Sequence, residues 1–379
     1  MSNSSENFIA DTYNRLPIEV SHARGIYVWD KKGNRYIDTF MGIGVILFGH
    51  GHERVISAMK EKIDKYVHLS NFFLDEDALY VAERLVKETG RYGKVFFTNS
   101  GAESTECAMK VISKIKKHGK IVSFVKNFHG RTLKALSITG FDNIRTQFID
   151  DSNVVFLPYD FKTVKHFIEN EKDIAAVFVE VVHGSGGLNV IPREIANLIM
   201  EYKNQQGYVL VADEVQSGLG RTGKFYAYQH FDLEPDIITL AKGIGGGLPL
   251  GACIMLDEYA DTFITGEHGS TFAPNPVALA AGRAVLEMID ENLLKQVSEM
   301  GEFFREKFSQ IGFVNGLGLM RGVKLENLER VLKVEDFVKH GLLVNILSSG
   351  IVRFLLPLNI LKEEIEEIYQ RFEDALESL

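Results

Sequence analysis

Short apolar runs alternate with amphipathic stretches through the middle of the chain. Apolar runs of strand length occur at about 94–98, 120–126, 153–157, 175–182, 208–213 and 236–241. Most of them are separated by stretches with helical periodicity, which include 102–117, 161–170 and 193–206. Alternation of this kind is typical of strand–helix–strand units. The pattern therefore predicts an α/β fold with a mostly parallel sheet.

The two ends of the chain differ from this central pattern. Residues 1–45 contain short β-like pieces around a turn at Gly25, and 276–310 is strongly helical. Residues 313–379 combine short strands with a closing helix over 362–377. The ends therefore predict a mixed α+β region rather than further strand–helix units.

We predict two domains from these patterns. Residues 46–275 form a large domain, and 1–45 together with 276–379 form a smaller one. The sequence has no internal repeat, low-complexity tract or proline-rich linker. The two domains are therefore expected to pack closely, with a cleft between them.

Composition and charge narrow the class of protein. The chain has 379 residues, of which 45% are hydrophobic, enough for a large core. A net charge of −9, without a cluster of basic residues, argues against nucleic acid as a partner. Residues 1–6 lack the features of a signal peptide, and no apolar run approaches the roughly 20 residues of a membrane span. We expect a cytoplasmic enzyme without a membrane partner.

Cysteine and histidine give no indication of a metal site. Cys107 and Cys253 lie in apolar segments without CxxC spacing, which favours core packing over a disulfide or a thiolate site. His50 and His52 are separated by one glycine, and without further ligands such histidines usually cap turns or fill polar pockets. No metal is predicted.

Lys242 is the most informative residue of the sequence. It follows the apolar run 237–241 and precedes a glycine-rich turn, where burial of a lone lysine is costly unless its amine has a function. The amine is therefore a candidate Schiff-base nucleophile. Asp213 follows the apolar run 208–212, far enough upstream to leave room for one crossover and a second strand. In a parallel sheet, Asp213 and Lys242 would both lie at the carboxyl edge.

Pyridoxal 5′-phosphate requires an acid and a lysine in this arrangement. The lysine holds the aldehyde as an imine, and the carboxylate keeps the ring nitrogen protonated so that the ring can accept electrons. An ordinary salt bridge between the two strand ends is the structural alternative. Polar groups at the other strand ends favour the cofactor.

Ser100 follows the run 94–98 at the predicted start of a helix. Its hydroxyl and the next backbone amides can hold a phosphate against the positive end of the helix. A plain serine N-cap has the same signature. Further polar groups come at the ends of other predicted strands, namely Glu180, Asp213 and Gln216, with Val215 between the last two.

Phe128, His129 and Arg131 follow the run 120–126. The ring of Phe128 could cover one face of a planar cofactor. The guanidinium of Arg131 could bind a carboxylate through two hydrogen bonds, although a surface arginine at a helix start is an equal alternative. Because five strand ends carry such groups, a purely structural role for all of them is improbable.

The segment 218–224 satisfies the GxGxxG pattern and most of a nucleotide-binding P-loop. Phe225 stands where the P-loop requires serine or threonine. A dinucleotide motif needs its glycines directly between strand and helix, whereas residues 213–216 intervene here. Nucleotide binding is therefore not predicted.

Taken together, these segments resemble the class III pyridoxal-phosphate aminotransferases, and within them the acetylornithine aminotransferases. The resemblance covers nearly the whole chain and implies a fold-type I architecture, with a mostly parallel seven-stranded sheet in the large domain. Its landmarks are Gly25–Asp30, Tyr36–Asp38, Gly49–His52, Phe97–Glu103, Phe128–Thr132, Asp213–Gln216, Gly220–Gly223, Ala241–Gly243, His268–Phe272, Arg353–Phe354 and Pro357–Leu358.

The resemblance implies a role for each cofactor residue. Lys242 is the imine lysine and proton shuttle, and Asp213 lies at the pyridine nitrogen. The remaining contacts are the phosphate residues Ser100, Gly101 and Ala102, the ring-covering Phe128 and Val215, Gln216 at the phenolic oxygen, and the further cofactor residues His129 and Glu180. Ser270 and Thr271 reach the phosphate of the neighbouring subunit, which implies a homodimer with shared active sites.

The resemblance also implies substrate contacts. Arg131 and Tyr13 match positions that bind the substrate carboxylate, and Arg353 matches the arginine that receives the α-carboxylate of glutamate. Ile43 occupies a gate position that is tyrosine in ornithine δ-aminotransferases, which favours an acylated substrate over free ornithine.

One departure from the family bears on substrate choice. The family usually reads Glu-Pro-(Ile/Val)-Gln-Gly-Glu-Gly-Gly where this chain has the segment 180–187. Ser185 replaces the second glutamate, which in relatives pairs with the arginine matching Arg353, so this guanidinium is left without that partner. His183 replaces the glutamine, and Ala273-Pro274 replaces Gly-Gly.

The implied reaction moves the terminal amino group of N-acetylornithine to 2-oxoglutarate. It gives N-acetylglutamate 5-semialdehyde and glutamate, as in arginine biosynthesis, with Lys242 moving the proton as base and acid in both half-reactions. A sister specificity is an alternative, with succinylornithine, an acylated lysine, succinyl-diaminopimelate or 4-aminobutyrate as donor. An aminomutase or racemase, and a noncatalytic binding protein that keeps the fold, are two further alternatives.

Overall fold

The computed structural model describes residues 8–145, 149–325 and 331–379. Residues 1–7 lie outside the described part. They include the start of the predicted small domain and residues 1–6, on which the signal-peptide prediction rests. The gap at 326–330 falls inside the carboxyl-terminal part of the same predicted domain.

The described strands form three sheets. The first sheet contains β1 (Val20–Arg24), β2 (Tyr27–Asp30), β3 (Arg35–Asp38) and the later β13. The central sheet contains β4 (Gly93–Thr98), β5 (Lys120–Phe124), β6 (Val154–Leu157), β7 (Ile174–Val179), β8 (Val209–Asp213), β9 (Ile237–Leu240) and β10 (Gly251–Leu256). The remaining strands are β11 (Gly312–Leu317), β12 (Met320–Leu325), β13 (Leu342–Leu343), β14 (Asn345–Ile346) and β15 (Val352–Leu355).

The central sheet has the order β4-β10-β9-β8-β7-β5-β6. β10 pairs antiparallel with both β4 and β9, and the other neighbours are parallel. The predicted seven-stranded, mostly parallel sheet is thus confirmed. The six apolar runs agree with β4 to β9 within a few residues, but no run had been assigned to β10.

Burial explains why the middle strands read as continuous apolar runs. Every residue of β7, β8 and β9 is buried, because helices cover both faces of a parallel sheet. Parallel pairing of β8 and β9 places Asp213 opposite Thr239. The side chains that follow these two strands therefore emerge at one edge.

The longer helices surround this sheet and close the chain. They are Glu53–Lys65, Glu76–Lys87, Gly101–Ile115, Phe161–Asn170, Arg193–Gln206, Pro276–Glu287, Glu291–Phe308 and Lys362–Glu377, with shorter ones at Leu133–Ser137 and Val334–Val338. Side chains that accept backbone N–H groups cap several of them, including Asp75, Ser100 and Asp160. The helices predicted at 161–170 and 193–206 have the observed bounds, and each segment shows the expected helical period.

The end segments form two smaller sheets, ordered β1-β2-β3-β13 and β11-β12-β15-β14. A cluster of stacked and tilted phenylalanine rings, Phe304, Phe308, Phe354 and Phe372, joins β15 to two helices. The helix Pro276–Glu287, assigned from sequence to the smaller domain, packs against Glu53–Lys65 and Glu76–Lys87. The exact division into domains stays a prediction.

Two further features concern expectations from composition. Cys107 and Cys253 are both free and buried in the core. Within residues 8–145, 149–325 and 331–379, every helix is too short or too polar to span a bilayer.

Candidate active site

The ends of several central strands surround a cavity of about 520 Å³. Thirteen of the residues predicted from sequence line it, namely Tyr13, Ser100, Gly101, Ala102, Phe128, His129, Arg131, Glu180, Ser185, Asp213, Val215, Gln216 and Lys242. These residues come from segments far apart in the sequence. The fold therefore brings most of the predicted chemistry to one place.

Lys242 begins a short 3-10 turn, Lys242–Gly245, directly after β9 and Ala241. Its φ of +54° lies in the left-handed region, which is unusual for a residue other than glycine and common at functional sites. Burial lowers the pKa of the Lys242 amine to about 8; the Arg353 cation adds to this shift, and Asp213 and Glu180 oppose it. At a pKa of about 8, roughly a tenth of the amine is unprotonated and nucleophilic at pH 7.

Asp213 ends β8 and is held by two contacts. His129 Nδ1 lies 2.6 Å from Asp213 Oδ2, and the Val215 N–H donates to Asp213 Oδ1 at 3.0 Å. A ring nitrogen that faces a carboxylate carries a proton, so His129 donates to Asp213. Both side chains are buried, which fixes the carboxylate on the cavity wall.

Glu180 follows β7 and positions two loops. Its carboxylate accepts the Phe128 N–H at 2.8 Å and the Gly184 N–H at 3.3 Å. Burial, together with the nearby Asp213 carboxylate, raises the pKa of the Glu180 carboxyl to about 7. Through the first contact, Glu180 holds Phe128 at the cavity wall.

The helix Gly101–Ile115 points its amino terminus at the cavity. The Ser100 hydroxyl accepts the Glu103 N–H at 3.2 Å, so the serine is an N-cap, as the simpler reading of the sequence proposed. The N–H groups of Gly101 and Ala102 lie in the first turn and have no acceptor within the helix. A Cβ on Gly101 would lie 2.8 Å from Val215 Cγ1, so only glycine permits this close approach.

These residues fit pyridoxal phosphate. The first-turn amides suit a phosphate, and Asp213, held by the His129 donor, suits a protonated pyridine nitrogen. The Lys242 amine has no hydrogen-bond acceptor among the described residues, which leaves it available for a carbonyl. Phe128 and Val215 both line the cavity and can cover the two faces of a flat ring.

The part of the cavity near Arg131 and Tyr13 is more open. Tyr13 is 75% exposed, and Arg131 lies over the Phe128 ring at 5.6 Å. In the described part of the chain, the Arg131 guanidinium has no carboxylate partner. It is therefore available to a carboxylate from outside the protein.

Arg353 lies behind the cavity wall. Its Nη1 donates to Gly184 O at 2.6 Å and to Gln216 Oε1 at 3.3 Å, and its Nε donates to Asn345 Oδ1 at 3.0 Å. Burial lowers the pKa of the Arg353 guanidinium to about 10. Within residues 8–145, 149–325 and 331–379, no carboxylate pairs with it, in agreement with serine at position 185.

Besides Arg353, three predicted residues do not line the cavity. Ile43 is 41% exposed and lies in a left-handed turn, Met41–Gly44, while Val45 contacts the cavity instead. Ser270 accepts hydrogen bonds from Asn71 and Asn99. Thr271 lies beside Ser270 in the same segment, and their assigned role in a neighbouring subunit stays a prediction.

Sequence reasoning missed part of the cavity wall. Gly247, Leu248, Pro249 and Leu250 line it, and the glycine-rich turn after Lys242 was the available signal. Arg221 was only a landmark, yet it is fully buried and donates to Leu356 O at 2.5 Å and Gly44 O at 3.2 Å. These bonds tie the left-handed turn at 41–44 to the carboxyl-terminal part of the chain.

Comparison with known proteins shows the family of the chain. The family model described as aminotransferase class-III matches residues 8–376. The acetylornithine aminotransferase of Aquifex aeolicus is 40% identical over 372 residues, which is 95% of this chain and 97% of that protein. The acetylornithine aminotransferase of Bacillus subtilis is 36% identical over 377 residues, 96% of each chain.

Solved structures resemble the whole chain. The N-acetylornithine aminotransferase from Stenotrophomonas maltophilia K279a superposes with a TM-score of 0.83, at 28% identity and 97% coverage of both chains. The ornithine aminotransferase from Toxoplasma gondii ME49 has a TM-score of 0.90, at 27% identity, covering 99% of this chain and 93% of that one.

Proposed function

The chain belongs to the class-III aminotransferases, and from that membership we propose that it moves the terminal amino group of N-acetylornithine to 2-oxoglutarate. The products are N-acetylglutamate 5-semialdehyde and glutamate, and the pathway is arginine biosynthesis. The observation that carries the proposal is the half-buried Lys242 amine near Asp213 and Glu180, in a cavity also lined by Arg131, which has no carboxylate partner among the described residues. The names of the relatives support the choice of amino donor.

Family membership implies dependence on pyridoxal phosphate, which supplies an electron sink for the bond that breaks at the amine-bearing carbon. Ser100, Gly101, Ala102, Asp213 and Lys242 would hold it. Asp213 supplies a fixed negative charge, and His129 keeps that carboxylate oriented. Lys242 takes the proton from the amine-bearing carbon of the donor and later returns a proton to the acceptor.

The two carboxylates of the acceptor require two cations. Arg131 lines the open part of the cavity, and we assign it with Tyr13 to the carboxylate farther from the reacting carbon. Arg353, behind Gly184 and Gln216, receives the nearer carboxylate. The donor needs only Arg131, because its α-carboxylate lies at the end away from the reacting amine.

We propose that the enzyme is a homodimer with shared active sites. Phe72 is 95% exposed and lies near the exposed Leu74 and Phe272, a surface that favours burial against another copy. Asn71 donates to Ser270 O and Ala273 O, which fixes the segment that carries Ser270 and Thr271. A monomeric mass by sedimentation, under conditions in which the protein is fully active, would contradict this assembly.

A spectroscopic half-reaction tests the donor assignment. Purified enzyme loaded with pyridoxal phosphate is mixed with N-acetylornithine, ornithine, acetyl-lysine, succinylornithine, succinyl-diaminopimelate or 4-aminobutyrate, each without an amino acceptor. The visible absorbance of the bound cofactor should change only with N-acetylornithine and return when 2-oxoglutarate is added. Conversion by a different amine would replace the donor, and a cofactor spectrum that no amine changes would contradict the transferase mechanism.

The matched control is Lys242→Ala in the same titration. It should bind cofactor without undergoing the amine-dependent change, because the proton-transfer group is lost.

An amine-dependent conversion that needs no 2-oxoglutarate and yields an isomer of the donor would indicate an aminomutase or racemase instead.

A further inference from the structure

The loop 180–185 connects several groups of the site. Glu180 at its start holds the Phe128 N–H, and Ser185 at its end lines the cavity. Gly184 donates its N–H to Glu180 Oε1 at 3.3 Å and accepts the Arg353 Nη1 group at 2.6 Å. The position of one peptide carbonyl, that of Gly184, therefore helps to place the buried guanidinium.

His183 precedes Gly184 and has an unusual environment. Its side chain is 3% exposed, and both ring nitrogens lack a hydrogen-bond partner among the described residues. Its ring stacks on Tyr159, with centroids 4.2 Å apart and an interplanar angle of 28°. The mechanism above gives this ring no function.

Tyr159 is itself fixed. Its hydroxyl donates to Glu180 O at 2.8 Å, and its ring packs on Phe124 of β5, with centroids 4.6 Å apart. The ring of His183 therefore lies against a side chain that is anchored to the central sheet and to the first residue of the same loop. An aromatic stack on such a support restricts the loop at its middle.

The backbone of His183 is also held. Its N–H donates to Asn189 O at 2.9 Å, and its carbonyl accepts the Leu188 N–H at 3.0 Å. A Cβ on Gly184 would lie 2.7 Å from Gln216 Oε1, so the next residue has little room to move toward Gln216. A buried polar group without a partner is normally destabilising. The contacts of the side chain are therefore made by its ring face and not by its nitrogens.

We propose that His183 is a positioning residue for the amino acceptor. The stack on Tyr159 holds the loop 180–185 so that Gly184 O fixes Arg353 where it receives a carboxylate. This inference rests on the role of Arg353 under the proposed function. It assigns to His183 an effect on dicarboxylate binding, with little effect on the donor, whose carboxylate is bound by Arg131.

Three variants separate the ring face from the nitrogens. His183→Phe keeps an aromatic face and removes both nitrogens, His183→Gln keeps polar groups and removes the ring, and His183→Leu keeps bulk alone. The readout is calorimetric binding of glutarate, a dicarboxylate that cannot be transaminated, to the cofactor-loaded enzyme. The Michaelis constants for 2-oxoglutarate and the amino donor are measured beside it.

We expect His183→Leu and His183→Gln to weaken glutarate binding by up to about tenfold, the range of one aromatic pair, while His183→Phe stays within about twofold of wild type. The Michaelis constant for 2-oxoglutarate should follow glutarate, and that for the donor should change less. Tyr159→Leu should reproduce the loss, and combining it with His183→Leu should add little, because both remove the same stack.

Two outcomes would overturn the proposal. If His183→Phe loses glutarate binding while His183→Gln binds glutarate as wild type does, the ring nitrogens and not the ring face support binding. Equal effects on donor and acceptor would show that the loop does not act through Arg353.

Thermal melting identifies a variant that fails to fold, and Tyr159→Leu then tests the stack from the other side. If wild type does not turn over N-acetylornithine, the proposed donor fails while glutarate binding still tests the loop.

Discussion

The two ends of the cavity are built differently. At the cofactor end, which contains Ser100, His129, Asp213 and Lys242, each side chain lies directly after a central strand or at the start of the helix or loop that follows one. At the substrate end, which contains Tyr13, Arg131, Ser185 and Arg353, the contributing segments are loops and the far end of the chain. At the first end, His129 and Asp213 are buried and bonded to each other, whereas at the second end Tyr13 is 75% exposed and Arg353 alone of the four is buried.

This difference indicates which part of the function is fixed by the fold. A strand end has little freedom, so the cofactor end is preorganised before any ligand arrives. Loops tolerate substitution, so the substrate end can change its specificity without loss of the sheet. Ser185, where the family usually has glutamate, lies at this second end. Four predictions test the contrast, from the largest expected effect to the smallest.

Lys242→Ala should lower the turnover number by at least about 10³-fold, because the group that carries the proton is removed. The melting temperature of the cofactor-free protein should stay at or above that of wild type, because desolvation lowers the pKa of the amine and so opposes folding at neutral pH. Steady-state transamination and thermal melting measure the two effects. Full activity in this variant would contradict the assignment of Lys242 as the proton-transfer group.

Asp213→Asn should lower the turnover number by about 10²- to 10³-fold. The variant loses the fixed negative charge that stabilises the charge developing in the reaction. The amide is close to the carboxylate in size and can still accept the Val215 N–H, so the fold should survive. The Michaelis constant of the amino donor should change much less than the turnover number. A variant with normal turnover would place the catalytic charge elsewhere.

Ser185→Glu should raise the Michaelis constant for 2-oxoglutarate by about tenfold, equivalent to about 1.4 kcal/mol. The new carboxylate would pair with Arg353, which has only neutral partners in the described structure, and the acceptor would have to displace it. Ser185→Gln is the control, since it adds length without charge. Identical kinetics in both variants would show that positions 185 and 353 do not interact.

His183→Phe should change the pH dependence of stability. Burial, together with the charges of His129 and Lys126, lowers the pKa of the His183 ring from 6.5 to about 3. Below pH 6.5 the unfolded chain therefore binds a proton that the native protein does not. Relative to His183→Phe, wild type should lose about 1.4 kcal/mol of stability per pH unit as the pH falls toward 3.

Urea unfolding of both proteins at about pH 7.5 and about pH 5 checks this sign. Glu180 and Glu214, whose carboxyl pKa values burial raises to about 7, shift stability in the opposite direction. They are present in both proteins, so their effect cancels in the comparison. A stability difference that does not vary with pH would mean that the native protein protonates His183 as readily as the unfolded chain does.

Local pattern was sufficient for much of the fold. The helices Phe161–Asn170 and Arg193–Gln206 and the six strands β4 to β9 follow from periodicity, because hydrophobic spacing is set within each segment. β10 was missed because it follows β9 without an intervening α-helix and pairs antiparallel with both β9 and β4, so it departs from the strand–helix alternation. The membership of the family also follows from the motifs, and the comparisons confirm it.

Contacts between residues far apart in the sequence could not be predicted from local pattern. His129 and Asp213 are 84 positions apart, and Arg353 reaches Gly184 across 169 positions. Motif matching named these residues but gave no partner for any of them. The left-handed turn at 41–44 is a further case, since it turns Ile43 outward and leaves Val45 at the cavity.

The sequence by itself determined the order of strands and helices, the chemical groups at the strand ends and the family. These depend on short-range spacing and on residue type, which a linear chain displays directly. Only the tertiary structure decided that Arg353 is held by neutral acceptors, that His183 stacks on Tyr159 with no partner for its nitrogens among the described residues, and that Lys242 lies half-buried among charges. Electrostatics and packing depend on distances between segments, and those distances exist only after the chain has folded.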